Sequence, residues 1–313
     1  MTLFAMSAVV TPVIGAENVS YILTAASKGD LATVNAMLAS GASPNVKDED
    51  GITALMYAAR KDKFAVANAL VSKGAEINAK DNGGWTALMF AAKKNNIATV
   101  KVLLEKGADP KVRDPSGWSA FGLAAVSGFS QIVDLLIKHG VDVNTKSDDG
   151  RTVLMHAAKS GDVATITTLL DHKADVLAQD KMGATALMIA AREGHAPAID
   201  LLVNKSSANQ KKVVDQKDLA KWTALTWAVK KSQLEVARAL ISNGADVNHL
   251  DAEGTPLLHI AVDNGATEMV KLLLDNKAKV KTKDQYGLTA LVYALKKQET
   301  EIIKLIKDAG GSY

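Results

Sequence analysis

Apolar residues recur along the chain with the spacing of short amphipathic helices. Within residues 81–113, Leu88 and Ala92 lie four positions apart. Further on, Val100 and Leu103 lie three positions apart. Both spacings place the paired residues on one face of a helix. The pattern predicts two short helices in this segment, and neither can bury its apolar stripe alone, so each pair must stack on a neighbouring pair.

Residues with special backbone preferences separate these predicted helices. Gly84 sits in a turn signal, where it is free to adopt positive φ. Thr86 precedes the first helix, and its hydroxyl is placed to accept an N-terminal backbone N–H. Asn95 and Asn96 interrupt the helical pattern, since Asn tolerates the left-handed conformation. Gly107 follows the second helix as a C′ glycine. The segment therefore reads as a turn followed by two helices.

The whole pattern returns about every 33 residues. Asp48-Glu-Asp-Gly-Ile-Thr-Ala-Leu-Met-Tyr-Ala-Ala reappears in modified form at Asp81, Asp114, Ser147 and Asp180. A fixed period of this length indicates one supersecondary unit stacked many times, which presents an extended surface. We predict nine units, at 15–47, 48–80, 81–113, 114–146, 147–179, 180–217, 218–250, 251–283 and 284–313.

The repeated motif resembles the ankyrin-repeat family, in a bacterial-type array, over residues 18–313. The family pattern is roughly Asp-x-x-Gly-x-Thr-Pro-Leu-His-x-Ala-Ala, then Gly, then Val-x-x-Leu-Leu-x-x-Gly-Ala-x-x-Asn. Met often replaces the His, as at Met56 and Met89. The resemblance implies an all-α solenoid of helix-turn-helix pairs with β-hairpin loops. It also implies a scaffold that binds proteins through a concave groove and hairpin tips.

Three departures from the repeat carry local predictions. Unit 180–217 has five extra residues around the polar stretch Lys205–Lys212, which predicts a longer second helix or a protruding loop. Pro256 replaces the capping Thr of its unit, and Thr255 is placed to take over the cap. His259 lies where the family often has His, so we predict a structural hydrogen bond.

Composition narrows the function further. The formal charge is +3, too mild to indicate nucleic acid by itself. There is no cysteine, so disulfides, thiolate nucleophiles and cysteine-ligated metals are excluded. The six histidines do not cluster, and no phosphate loop or nucleophile elbow occurs. We therefore expect no enzyme activity, cofactor or metal.

The first 16 residues, MTLFAMSAVVTPVIGA, carry no charged side chain. This run is shorter than the roughly 20 residues that cross a bilayer. It ends in small residues and resembles a signal peptide without its basic region. The alternative is an apolar cap on the first repeat. Export to the periplasm or medium is expected if it is cleaved, and a cytoplasmic location otherwise, with residues 17–313 forming the repeat domain.

Cations recur at positions 13 and 14 of the repeat, counted from its first Asp. In the family these positions line the concave groove, so the resemblance implies a basic strip there. Lys and Arg near helix C-termini also favour the helix dipole, which requires no partner. The candidate partner-binding cations are Arg60, Lys61, Lys93, Lys94, Lys159, Arg192, Lys230, Lys231, Lys296 and Lys297.

Aromatic residues occupy two further repeat positions. Position ten holds Tyr57, Phe90, Trp227 and Tyr293, which share a helix face with the cations. Either cation–π contacts or packing against the second helix would explain them. Position five, in the hairpin, holds three tryptophans, which are read as exposed interface anchors or as cross-repeat contacts. These are Trp85, Trp118 and Trp222.

Three functions remain open at this point. The first is a monomeric, non-enzymatic scaffold that binds a protein with an acidic or amphipathic surface. The second is a binder of polyanions such as an envelope polymer, with nucleic acid disfavoured by the low net charge; salt dependence distinguishes it. The third is a regulatory subunit of an enzyme.

Overall fold

A computed structural model describes residues 16–205 and 208–312, and the chain divides into two compact units, 1–120 and 121–313. In the described residues all regular elements are helices. They are α1 (Ala16–Lys28), α2 (Leu31–Ala39), α3 (Ala54–Arg60), α4 (Phe64–Ser72), α5 (Ala87–Lys93), α6 (Ile97–Glu105), α7 (Ala120–Val126), α8 (Ser130–Lys138), α9 (Val153–Ser160), α10 (Val163–Asp171), α11 (Ala186–Glu193), α12 (Ala196–Asn204), α13 (Gln210–Val214), α14 (Ala224–Lys230), α15 (Leu234–Ser242), α16 (Leu257–Asp263), α17 (Thr267–Asp275), α18 (Ala290–Lys297) and α19 (Thr300–Asp308).

The first unit is built from stacked helix pairs in two layers. The first helices α1, α3 and α5 contact one another in order, and the second helices α2, α4 and α6 form the other layer. Ala58, Ala59 and Ala92 are completely buried between first helices, where a small side chain allows close approach. Leu103 is also completely buried, as its helical spacing predicts.

The second unit repeats this arrangement. One layer contains α9, α11, α14, α16 and α18, and the other contains α8, α10, α12, α15, α17 and α19, each helix contacting the next in its layer. Leu169, Leu202, Leu240 and Leu273 are fully buried. The periodic apolar stripes therefore predict the core of both units.

A threonine begins most first helices, as predicted for Thr86. Its hydroxyl accepts the backbone N–H of Met89 at 3.3 Å. In return the Met89 sulfur lies 3.4 Å from the backbone N of Thr86, so that N–H has a partner as well. Thr53 and Met56 make the same reciprocal pair. Methionine at this position thus completes a capping box, a role that the sequence had not suggested.

The predicted helix ends are confirmed. Asn95 adopts φ +59° between α5 and α6, and Gly107 adopts φ +89° after α6. The amide of Ala108 then donates to the Leu103 carbonyl at 2.9 Å, which satisfies a free carbonyl at the helix end. Gly84 has φ +81°, and a Cβ there would lie 2.6 Å from Pro115 Cδ.

The hairpins are tight turns closed by isolated bridges such as Lys47 to Thr53. An asparagine after each of several second helices links one repeat to the next repeat. Asn78 Oδ1 accepts the Asp109 N–H at 2.8 Å. Asn144 accepts from Asp175 at the same distance. We call the full set the Asn ladder, with acceptors Asn45, Asn78, Asn144 and Asn248.

The predicted cap at Thr255 is wrong. Helix α16 begins at Leu257, so Pro256 is itself the N-cap residue and no side chain caps the helix. Its ψ of 150° is extended, the conformation that an N-cap residue adopts. The predicted hydrogen bond of His259 is confirmed, since Nε2 lies 3.0 Å from the Leu288 carbonyl.

The long unit 180–217 contains neither a lengthened α12 nor only a protruding loop, which corrects both expectations. α12 ends at Asn204, and the separate short helix α13 follows. Val213 and Val214 of α13 are buried, and α13 contacts α12. Asp215 then accepts the Asp246 N–H at 3.2 Å, in place of the usual Asn.

Most of the predicted N-terminal segment lies outside the described residues, which begin at Ala16, the first residue of α1. Among the described residues, no helix combines the length and the apolar character that crossing a bilayer requires. The signal-peptide interpretation therefore stays a prediction.

Candidate functional site

The first helices of several pairs end in one or two cations. Arg60 is the last residue of α3, and Lys61 is its C-cap. Lys93 and Lys94 hold the same places on α5. The remaining predicted cations lie at equivalent positions in the second unit: Lys159, Arg192, Lys230, Lys231, Lys296 and Lys297.

The cations of α3 and α5 come together in the first unit. They line a surface cleft of ≈ 470 Å³, which we call the basic cleft. Its lining consists of Arg60, Lys61, Trp85, Phe90, Lys93 and Lys94. Among the described residues no carboxylate lines this cleft. A group of like charges raises the local concentration of anions.

Aromatic side chains form the apolar part of the basic cleft. The rings of Trp85 and Phe90 pack at a centroid distance of 5.1 Å. The Arg60 guanidinium lies 5.2 Å from the centre of the Tyr57 ring. Trp85 is fixed from the other side, because its Nε1 donates to Asp114 Oδ2 at 3.1 Å. The cleft thus offers a firm apolar wall beside four cations.

The position-five tryptophans are half-buried rather than exposed at hairpin tips. Trp85 donates to Asp114 of the next repeat, as expected of a cross-repeat contact. Trp222 packs edge-on against Trp227 of its own unit at 4.7 Å. Trp118 is likewise half-buried. The binding role of these three residues stays a prediction.

The polar position-ten side chains bond to the hairpin of their own repeat, a contact that the core interpretation had not included. The Tyr57 hydroxyl donates to Asp48 Oδ2 at 2.8 Å. Trp227 Nε1 donates to Asp218 Oδ2 at 2.9 Å. Both bonds connect position ten with the first Asp of the same unit. They join the first helix to its own hairpin.

In the second unit two of the predicted cations are paired with acids. Arg192 Nη2 lies 3.0 Å from Glu193 Oε1, and its guanidinium also sits 5.5 Å from the Trp227 ring. Lys297 Nζ lies 2.7 Å from Asp263 Oδ1. These acids interrupt a basic strip, so the predicted cations are not equivalent in the two units.

Lys230 and Trp222 lie in a different cleft of the second unit, with a volume of ≈ 280 Å³. We call it the acidic cleft. Four carboxylates and a single lysine line it, together with aromatic rings. Its principal side chains are Trp222, Asp251, Glu253, Asp284, Tyr286 and Tyr293. The sequence analysis missed it, although Glu253 and Tyr286 occupy position three of consecutive repeats.

The histidines and carboxylates of the described residues do not meet the requirements of a metal site. The described residues contain no group of His, Asp and Glu side chains suited to hold a metal ion. Burial lowers the pKa of His156 and of His259, so both rings are neutral near pH 7.

Comparisons with known proteins agree with this architecture. A family model described as ankyrin repeats (3 copies) matches residues 22–114, 108–180, 174–251 and 243–312. The crystal structure of the human ASB11 ankyrin repeat domain matches with a TM-score of 0.63 and 26% sequence identity, over 72% of this chain and 98% of that domain. No curated protein matches the chain.

Proposed function

Because the chain belongs to the ankyrin-repeat family, whose domains generally mediate protein–protein interaction, we propose that it is a non-enzymatic scaffold that binds a partner protein. The observation that carries this proposal is the basic cleft. Its four cations and two aromatic rings suit a segment with acidic and apolar side chains. Nine repeats of about 33 residues would build the scaffold, which nine helix pairs in the described residues support.

The helix dipole alone explains only part of this arrangement. It favours a cation at the end of α3 or α5 by about 0.3–1 kcal/mol. It does not require two helices to present their cations to one cleft, nor an aromatic wall beside them. A partner that supplies carboxylates and apolar groups uses both features. The cations of the second unit remain weaker candidates, since two of them are already paired.

The test uses a short fluorescein-labelled peptide in which glutamate alternates with leucine. Replacing Arg60, Lys61, Lys93 and Lys94 together by Glu should weaken its binding by about fourfold or more, since each lost exposed ion pair contributes roughly 0.2–1 kcal/mol. Fluorescence anisotropy measures the affinity, and circular dichroism checks that the fold survives.

A matched control replaces four lysines of the same unit that lie outside the cleft, Lys73, Lys101, Lys106 and Lys111, by Glu. It changes the net charge equally and should leave most of the affinity intact. Equal losses in the two variants would show that only net charge matters. If a heparin fragment binds the unmodified chain more tightly than the peptide, with a steep salt dependence, the polyanion function is favoured instead.

We also propose that residues 1–16 direct export and are then removed. Their uncharged apolar character supports this. N-terminal sequencing of the protein from its native host tests it, and a cytosolic chain that still begins at Met1 would refute it.

A further inference from the structure

The acidic cleft is lined by a largely buried aspartate, one of whose oxygens has no donor among the described residues. Asp251 is only 9% exposed. Its Oδ1 accepts the backbone N–H groups of Glu253 at 3.0 Å and Thr255 at 2.8 Å. Its Oδ2 receives no hydrogen bond from the described residues. Because the rest of the side chain is largely buried, a donor from outside that reaches this oxygen would make a charge-assisted hydrogen bond.

Comparison with other repeats explains why Asp251 Oδ2 is free. In several repeats this oxygen accepts from position ten of the same repeat, as from Trp227 Nε1 for Asp218. It is also satisfied by position five of the preceding unit, as Trp85 does for Asp114. For Asp251 the position-ten residue is Ile260, which has no donor.

The position-five residue before Asp251 is Trp222, whose indole packs against Trp227 and donates no hydrogen bond to any described residue. Both usual donors are therefore absent at the same carboxylate. Asp251 lines a cleft that has room for a group from outside.

A second unpaired acceptor belongs to His259, which is only 4% exposed and lines the same cleft. Because Nε2 donates to the Leu288 carbonyl, the neutral ring carries its lone pair on Nδ1. Nδ1 has no partner among the described residues and is itself buried, so it adds to the acceptors beneath the cleft without contacting a ligand directly. In repeat 48–80, Met56 occupies the place of His259, and its sulfur accepts the N–H of the N-cap residue Thr53. The N-cap residue before His259 is Pro256, which has no N–H to donate.

The remaining lining suits a cation. Glu253 is exposed and forms no ion pair with a described residue. Tyr286 is 72% exposed, which is high for an aromatic ring beside carboxylates. The Tyr293 ring already attracts Lys296, whose Nζ lies 5.8 Å from its centre. Aromatic faces and carboxylates together favour a positively charged group that also offers several N–H donors.

We propose that the acidic cleft binds an arginine side chain of a partner protein. A guanidinium has five N–H donors and no acceptor, so it matches the free oxygen of Asp251 and the exposed carboxylate of Glu253. It also stacks on aromatic rings, which a lysine ammonium does less well. This inference rests on the proposed function only in that a partner protein supplies the arginine. The two clefts lie in different compact units, so the acidic cleft can be tested separately from the basic cleft.

The test measures binding of the peptide acetyl-Gly-Arg-Gly-amide to the full chain by NMR. We expect shifts in the Trp222 indole N–H and in the amides of residues 284–289. Replacing Asp251 by Asn should weaken binding about tenfold, because the lost interaction is a charged hydrogen bond. Asn keeps the oxygen that accepts the two turn amides, so the hairpin should persist. Lys230→Gln should tighten binding by a few-fold, because it removes the one cation of the lining.

Two further variants keep the result interpretable if Asp251→Asn disturbs the hairpin. Glu253→Gln changes an exposed side chain and should weaken binding by a few-fold. Glu268→Gln changes an exposed carboxylate on α17 outside the cleft and should have no effect. The fourfold Glu variant of the basic cleft should also bind the peptide normally.

Several outcomes would overturn the proposal. Equal binding of the peptide to the unmodified chain, Asp251→Asn and Glu253→Gln would show that the cleft does not recognise it. Equal binding of a peptide with glutamine in place of arginine would remove the role of charge. Equal binding of acetyl-Gly-Lys-Gly-amide, which has lysine in place of arginine, would refute recognition through the guanidinium donors.

Discussion

The two clefts use corresponding repeat positions and have opposite charge. Trp85 and Trp222 share position five, and Lys93 and Lys230 share position 13. The charged side chains around Trp85 and Lys93 are all cations, whereas four carboxylates surround Trp222 and Lys230. The difference arises at position three, where the acidic cleft has Glu253, and at the end of α16, where Asp263 replaces a cation. The repeated backbone thus provides the places, and a few side chains determine which partner chemistry each place accepts.

The comparison also shows how one hydrogen bond separates the clefts. In the first unit Trp85 satisfies Asp114, which fixes the aromatic wall. In the second unit Trp222 turns to Trp227, and Asp251 retains an unpaired oxygen. Both tryptophans pack against an aromatic ring, but only Trp85 also donates to the next Asp, and that one bond separates a structural carboxylate from one available to a ligand.

The largest expected effect tests whether the difference is confined to the surface. Leu103 and Leu240 are both completely buried at the same repeat position, one in each unit. Replacing either by Ala should cost about 2–5 kcal/mol of unfolding free energy, because a cavity remains. Urea denaturation measures both losses, and Lys94→Ala should cost less than about 0.5 kcal/mol. If the free-energy losses of the two variants differ from each other by more than the width of this expected range, the two cores are not equivalent.

A smaller effect separates the two tryptophans. Trp85→Phe removes the hydrogen bond to Asp114, whereas Trp222→Phe removes none made by the indole N–H. Both changes remove similar apolar volume, so the difference between their unfolding free energies isolates the hydrogen bond. We expect Trp85→Phe to cost about 1 kcal/mol more. Equal costs in denaturant melts would show that the bond contributes nothing.

The smallest effect concerns Tyr293 in the acidic cleft. Its hydrogen bond to Asp284 raises the pKa of the phenol from 10.0 to about 12. Below pH 10 the phenol is protonated in both folded and unfolded chains, so the stabilisation is fully present. Between pH 10 and about 12 the unfolded chain loses its proton first, and the stabilisation is lost as the pH rises.

Ultraviolet titration of tyrosinate measures this shift. Tyr293→Phe should remove the component that titrates near pH 12, and Asp284→Asn should return it toward pH 10. An unchanged titration in Asp284→Asn would contradict the assigned cause.

The sequence predicts the helix pairs well because their signals are local. Thr86 caps its helix and Gly107 ends the next one, as their residue types require. The core at Leu103 follows from periodicity alone. The helix α13 was missed because a polar stretch hides Val213 and Val214, whose burial depends on neighbouring repeats.

The functional surfaces were only partly predictable for the same reason. The cations of the basic cleft recur in register, so their grouping follows from the period. The acidic cleft depends on which side chains of three successive units meet, and on the direction in which Trp222 turns. Neither is encoded by the identity of one residue. Asp251 looks like the other first Asp residues of the repeat until its burial and its missing donors are considered together.

The Asn ladder has a consequence for how the chain reaches its fold. Each rung joins residues only 31 positions apart, as between Asn78 and Asp109 or between Asn248 and Lys279. Contacts of such short range keep the relative contact order low in a chain of 313 residues. Folding can then start at any well-formed pair of repeats and spread to its neighbours, so adding repeats lengthens the protein without adding a slow long-range step.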